Sequence, residues 1–86
     1  MHLDEYEISL ARELGLCEAF VRKCQRLLER MELRHGMTTE MFMDRWQKGT
    51  ISASREFRKW RDGVDGLRHW SEARNEYARL LGIMKI

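Results

Sequence analysis

Proline is absent from this 86-residue chain, and so are long apolar runs and strand-like alternation. No apolar stretch approaches the ~18 residues that a membrane-spanning helix needs. The opening MHLDEYEISL is acidic, unlike the basic start of a signal peptide, and we therefore expect a cytoplasmic protein. With 43% hydrophobic and 35% charged residues, the composition is typical of a folded helical protein and argues against disorder.

Cysteine is scarce, and the two that occur cannot form a disulfide along one helix. Cys17 and Cys24 are seven residues apart, which places their Cα atoms ~10 Å apart on a helix. This separation exceeds the reach of a disulfide. We interpret both as reduced core residues, with a bridge between the subunits of a symmetric dimer as the alternative.

Charge is unevenly distributed along the chain, although the net charge is only +2. Residues 1–20 carry five acids against one arginine, a net −4. Residues 21–61 carry eleven Lys or Arg against five acids, a net +6, and residues 62–86 balance at four each. The middle of the chain is therefore basic.

A heptad stripe of apolar or small residues predicts a long first helix. The stripe consists of Leu10, Leu14, Cys17, Val21, Cys24, Leu28, Met31 and His35. We expect a helix over about 3–35, straight or slightly kinked at Gly15, with a break at that glycine as the alternative. Leu16, Phe20 and Leu27 widen the apolar arc to about 160°, which is more than one partner helix covers.

A short second helix is predicted between two glycines. Gly36 suits the left-handed position just after a helix C-terminus, and Thr38 can cap the next helix. Gly49 then ends this helix, which we place at about 39–48.

A third, long helix is predicted at about 53–83, with Ser52 as its expected cap and Ser54 as the rival. Its apolar positions are Phe57, Trp60, Val64, Leu67, Trp70, Tyr77, Leu80, Leu81 and Met84. The glycines in DGVDG could break it near 63–66. Because the stripe keeps its phase through this segment, we favour one continuous helix with a weak point.

These elements predict a single all-α domain spanning residues 1–86, an open hairpin of two long helices joined by a short one. Such a hairpin leaves part of its wide apolar arc uncovered, which soluble monomers rarely tolerate. We therefore expect a homodimer, or docking on another protein, to complete a helical bundle.

No constellation of catalytic or metal-binding residues is present, and we expect a protein that is not an enzyme and has no cofactor. The histidines, His2, His35 and His69, are far apart in sequence. His35 and Cys24 lie about 16 Å apart on one helix and cannot share a zinc ion. No phosphate-binding glycine loop occurs.

A basic segment flanks Gly49 and could contact nucleic acid. Its candidate residues are Arg45, Lys48, Arg55, Arg58, Lys59 and Arg61. A helix-turn-helix alignment places arginines where such motifs need small or buried apolar residues, so we expect contacts to phosphates rather than to bases.

Methionine and aromatic residues are concentrated around the predicted corner and suit a partner-binding surface. The candidate residues are Met41, Phe42, Met43, Trp46, Phe57, Trp60 and Trp70. Core filling at the corner accounts for Met31, Met37 and Phe42, but a ten-residue helix that also carries Met41, Met43 and Trp46 is apolar most of the way round.

The segment HGMTTEMFMDRWQKG, followed by EFRKW, resembles a motif of small helical antitoxin-like proteins from bacterial and archaeal toxin–antitoxin pairs. The matching positions are Gly36, Met37, Thr38, Phe42, Trp46, Gly49 and Trp60. The resemblance covers about residues 33–61 and implies a protein that binds and masks a toxin encoded next to it.

The leading hypothesis from the sequence is thus an interaction module that binds another protein through its aromatic and Met-rich surface, with antitoxin-like inhibition of a cognate toxin as its specific form. A small nucleic-acid-binding or regulatory protein that uses the basic segment is the second hypothesis. A structural or adaptor subunit of a larger assembly is the third. No membrane partner is expected.

Overall fold

Three α-helices make up the part of the chain that the computed structural model describes, residues 5–84. They are α1 (Glu5–His35), α2 (Thr39–Gln47) and α3 (Arg55–Met84). No strand occurs in this range, and the all-α prediction is confirmed. Residues 3 and 4, which the first predicted helix included, lie outside the described residues.

The long helices α1 and α3 run antiparallel, each about 45 Å in length. Phe20 stacks on Trp70 in the middle of the hairpin, and His35 packs on Phe57 near the corner. α1 continues without a break through Gly15. Its buried residues all belong to the heptad stripe: Leu10, Cys17, Val21, Leu28 and Met31.

The corner between α1 and α2 is built from the local signals that the sequence shows. Gly36 adopts a left-handed φ of 63°, and its N–H still donates to the Glu32 carbonyl at 2.9 Å. Thr38 caps α2, because its Oγ1 accepts from the N–H of Met41 at 3.1 Å. The Glu32 carboxylate accepts from the N–H of Thr39 at 2.7 Å and so ties the start of α2 to α1.

The connection from α2 to α3 contains one correction to the sequence analysis. Gly49 has φ 71° and ends α2 as predicted. α3 begins at Arg55, later than expected, because Ser54 and not Ser52 is its cap. The Ser54 Oγ accepts from the N–H of Phe57 at 3.1 Å, which is the N-cap to N3 hydrogen bond.

Helix α3 passes unbroken through Gly63 and Gly66, and the structure gives these glycines a packing role. A Cβ at Gly63 would lie 2.8 Å from Leu27 Cδ2, and one at Gly66 would lie 3.1 Å from Cys24 Sγ. Both positions therefore let α3 approach α1 closely. What reads in sequence as a weak point is a place where the two helices are in close contact.

The described chain is long and thin. Its principal extents are 58 × 20 × 18 Å, and its radius of gyration is 17.0 Å, against about 12 Å for a compact chain of this length. None of the described helices is both long enough and apolar enough to cross a membrane. The hairpin has room on its long sides for further contacts.

Candidate partner-binding groove

Two of the predicted partner-binding residues, Phe42 and Trp60, are fully buried inside the chain itself. Their rings stack with centroids 4.1 Å apart and an interplanar angle of 1°. The Trp60 indole N–H donates to Thr39 Oγ1 at 3.2 Å, so its polar atom is satisfied as well. In this conformation neither side chain is available to a second protein.

Three more of the predicted residues support the same corner core. The ring centroids of Phe57 and Trp46 lie 5.6 Å and 5.8 Å from that of Phe42. Met43 is partly buried against the cluster that Leu28 and Met31 complete. Most of the Met-rich and aromatic corner is therefore used to pack α2 against the two long helices.

Met41 is the predicted residue that remains on the surface at the corner, with 47% of its area exposed. It lines an open groove of about 320 Å³ between the end of α1 and the start of α2. The groove is lined by Glu32, Leu33, Gly36, Met37, Thr38 and Met41. We call it the corner groove.

Leu33 is the most exposed large hydrophobic residue of the described chain, at 86%. It lies on the side of α1 away from the buried stripe, so the fold of this chain does not cover it. Its position beside Met37 and Met41 turns an isolated exposed leucine into an apolar patch. Flexible methionines around a fixed leucine suit the docking of an apolar side chain.

The polar groups of the corner groove already have partners within the chain. The Glu32 carboxylate accepts from the Thr39 N–H, and Thr38 Oγ1 accepts from the Met41 N–H. The surface that remains for a ligand is mostly carbon and sulfur. The groove therefore favours apolar contact over recognition of a charged small molecule.

Half of the basic candidates for nucleic-acid contact are engaged by neighbouring groups. Lys48 Nζ lies 3.0 Å from Asp44, and Arg61 lies 3.1 Å from Asp62 while its guanidinium sits 5.8 Å from the Trp46 ring centroid. Arg45 Nη1 lies 4.0 Å from the sulfur of Met37.

The other three basic candidates, Arg55, Arg58 and Lys59, make no ion pair with any residue in the range 5–84. Arg55 and Lys59 line an open groove of about 480 Å³ on the hairpin. This second groove is lined by Met31, Arg34, Arg55, Glu56 and Lys59.

Glu56 joins the two long helices at the rim of the second groove. Its carboxylate accepts a hydrogen bond from Arg34, and its other oxygen lies 3.2 Å from His35 Nε2. The Arg34 hydrogen bond lowers the pKa of Glu56, and the nearby charges of Arg34 and His35 act in the same direction. Glu56 thus stays ionised and partly neutralises a basic part of the surface.

Trp70, the last predicted residue, belongs to a different part of the molecule. It is partly buried and stacks on Phe20 with ring centroids 4.6 Å apart. Phe20 is 39% exposed and Leu16, one turn earlier on α1, is 48% exposed. The structure therefore separates the predicted set into a corner core, the corner groove and an apolar side face of the hairpin.

The cysteines are both free, and Cys17 is buried while Cys24 is partly so. Burial raises the pKa of the Cys17 thiol, and the charge of Glu13 raises it further. Within residues 5–84, no group of three or more His, Cys, Asp or Glu side chains is arranged to hold a metal ion.

Sequence reasoning missed Leu33 as a surface residue of interest. The available signal was its position outside the heptad stripe, three residues before the glycine that ends α1. An apolar residue that lies outside the stripe and next to a corner is covered neither by its own helix nor by the helix packed against it.

Comparison with known proteins adds no relative to this description. No family model, no curated protein and no solved structure matches the chain.

Proposed function

We propose that this chain is a non-catalytic interaction module that binds another protein through the corner groove. The groove receives an apolar side chain from a helix or loop of that protein, against Leu33, Met37 and Met41. The observation that carries the proposal is the 86% exposure of Leu33 beside the half-exposed Met41. Burying one such leucine contributes about 1.5–3 kcal/mol, so its truncation has a measurable effect on affinity.

The specific form that we propose is antitoxin-like inhibition. The resemblance at residues 33–61 implies a partner encoded next to this protein, and the corner groove lies in that segment. Bound there, the long hairpin would extend from the contact and cover the partner's active site. The groove replaces Phe42 and Trp60 as the proposed contact, because these two rings form the corner core.

The test is co-expression with the product of the adjacent gene, followed by purification through a tag on this chain. We expect a complex that persists through size-exclusion chromatography, and an inhibited partner. Leu33→Ser and Met41→Ser should each weaken the complex about tenfold or more, because each removes apolar contact area. Ile83→Ser is the matched control, since Ile83 is 57% exposed at the opposite end of the hairpin.

Two outcomes overturn the proposal. The first is that the adjacent gene product does not bind. The second is that both groove variants keep wild-type helicity and still bind as tightly as the Ile83→Ser control.

Nucleic-acid binding is the second candidate, favoured by Arg55, Arg58 and Lys59, which make no ion pair within residues 5–84. Contacts from these residues would go to phosphates, so the affinity would fall steeply with salt. Titration of random duplex DNA and RNA at low salt separates the candidates. Binding that is lost in Arg55→Ala and Lys59→Ala, but not in Leu33→Ser, would favour nucleic acid over a protein partner.

A further inference from the structure

We propose that the side face of the α1–α3 hairpin, centred on Phe20 and Trp70, is covered by a second copy of this chain in antiparallel orientation. The corner of one copy then lies against the open end of the other. This contact does not involve the corner groove, which stays free for the partner proposed above.

The surface area of the chain is the first argument for a missing layer. The chain exposes 6538 Å², about 1,100 Å² more than the ~5,400 Å² of a compact monomer of 10.4 kDa. The 58 × 20 Å outline of a long side offers about 1,200 Å² to a second copy. A standard interface uses about 800 Å² per partner, so one side of the hairpin is large enough.

The side face has an apolar centre. Phe20 stacks on Trp70 at 4.6 Å and remains 39% exposed. At 100° per residue, Leu16 and Leu27 project within about 40° of Phe20 on α1. Tyr77 projects close to Trp70 in the same way on α3. Aromatic and aliphatic side chains therefore meet on one side of both helices.

The central position of Phe20 and Trp70 in their helices favours a twofold-symmetric dimer. Phe20 is the midpoint of α1, which spans Glu5–His35, and Trp70 lies at the midpoint of α3, Arg55–Met84. A twofold axis that passes through Phe20, perpendicular to the helices, aligns the full length of one hairpin with the full length of the other. Every part of the side face of one copy then opposes the side face of the other, and a closed bundle of four long helices results.

Charge selects the antiparallel orientation over the parallel one. The corner end of the hairpin contains most of residues 21–61, with a net charge of +6. The described part of α1 at the open end, residues 5–20, has a net charge of −3. A parallel dimer would place one basic corner on the other, whereas an antiparallel dimer places each basic corner beside an acidic end.

Glu13, Lys23 and Arg30 are the side chains that would meet across this interface. With the axis at Phe20, residue i of α1 lies opposite residue 40 − i of the second copy, so Glu13 falls between Lys23 and Arg30 of that copy. Among residues 5–84, none of these three side chains has an ion-pair partner within its own chain. The dimer supplies the missing partners.

Light scattering after size exclusion tests the interface. We expect twice the chain mass at micromolar concentration, and dissociation at least tenfold easier in Leu16→Ser. Ile8→Ser is the matched control, because Ile8 is 42% exposed on the same helix but projects about 80° away from Leu16. Leu16→Ser keeps the Phe20–Trp70 stack, and circular dichroism verifies its fold.

Charge reversal tests the orientation. Glu13→Lys should weaken the dimer about tenfold, and Lys23→Glu with Arg30→Glu should do the same. The combination of all three restores affinity if Glu13 of one copy meets the two basic residues of the other. No restoration in the combined variant overturns the antiparallel register.

A distance measurement decides between the two orientations directly. A nitroxide carried by an unnatural amino acid at position 33 leaves both cysteines unlabelled. Position 33 is 13 residues from the axis, ~20 Å along the helix, so the antiparallel dimer gives a spin–spin distance of about 40 Å or more. A distance below about 30 Å, or a monomer throughout the micromolar range, overturns the proposal.

Discussion

The indole of Trp60 lies flat on the ring of Phe42, with centroids 4.1 Å apart, and this contact locks α2 onto α3. His35 packs on the same indole at 5.5 Å, so α1 joins the cluster. All three helices meet at this point. The aromatic residues that look in sequence like a binding surface are the reason that the corner has a defined shape.

Truncation of this stack should unfold the corner. Phe42→Ala and Trp60→Ala each remove a fully buried ring, and we expect a loss of about 3–5 kcal/mol in the free energy of unfolding. Urea denaturation at one protein concentration measures it. Met41→Ala is the control, because Met41 is half exposed, and a similar loss there would contradict the division between core and groove.

The two kinds of glycine in the long helices should respond in opposite directions to alanine. Gly15→Ala adds a methyl group to open space and should stabilise the protein by up to ~1 kcal/mol. Gly63→Ala forces a Cβ to within 2.8 Å of Leu27 Cδ2 and should lower the stability by about 1–3 kcal/mol. Thermal and urea unfolding check both. Equal gains at the two sites would show that Leu27 and Leu28 move aside at no cost, which would contradict tight packing at Gly63.

Ser54 and Ser52, at the start of α3, should respond differently to replacement by alanine. Ser54→Ala removes the Oγ that accepts from the Phe57 N–H, and we expect a loss of about 1 kcal/mol. Ser52→Ala leaves the stability almost unchanged, because Ser52 contributes its backbone carbonyl, which accepts from the Ser54 N–H at 2.8 Å. Urea denaturation of the pair measures the difference, and a larger loss at Ser52 would move the cap back to the position expected from sequence.

Acid should weaken the link between α1 and α3. The pKa of Glu56 is lowered in the folded chain, so its ionised form contributes stability above the ordinary glutamate pKa of about 4.3. That contribution disappears as the pH falls below this value and Glu56 becomes protonated. Glu56→Gln should therefore flatten the fall of stability between neutral and acidic pH. The variant and wild type should converge in strong acid, and a constant difference at all pH values would contradict the assignment.

The turns at the corner were predictable because they depend on short-range interactions. Gly36, Thr38 and Gly49 act through backbone conformation and short-range hydrogen bonds, which depend on neighbouring residues alone. The heptad stripe of α1 was predictable for the same reason, because its spacing is a property of one helix. These features are enough to predict the all-α class and the order of the helices from the sequence.

Whether each apolar residue lies in the core or on the surface was not predictable from the sequence, because it depends on contacts between segments that are distant in the chain. Sequence spacing shows that Phe42 and Trp60 are apolar and face inward on their own helices, but not that their rings stack on each other. Gly63 reads as a helix-weakening residue until Leu27 is known to pack on it. Leu33 and Met41 came together through the turn at Gly36, which no helical pattern includes.

Hydrogen exchange of the complex with the adjacent gene product tests the proposed function most directly. Binding through the corner groove predicts slower amide exchange in the last turns of α1 and the first turn of α2, around Leu33 and Met41. Exchange at the opposite end of the hairpin, near Ile83, should not change. Slower exchange confined to the side face around Phe20, with none at the corner, would contradict the assignment of the groove as the binding site.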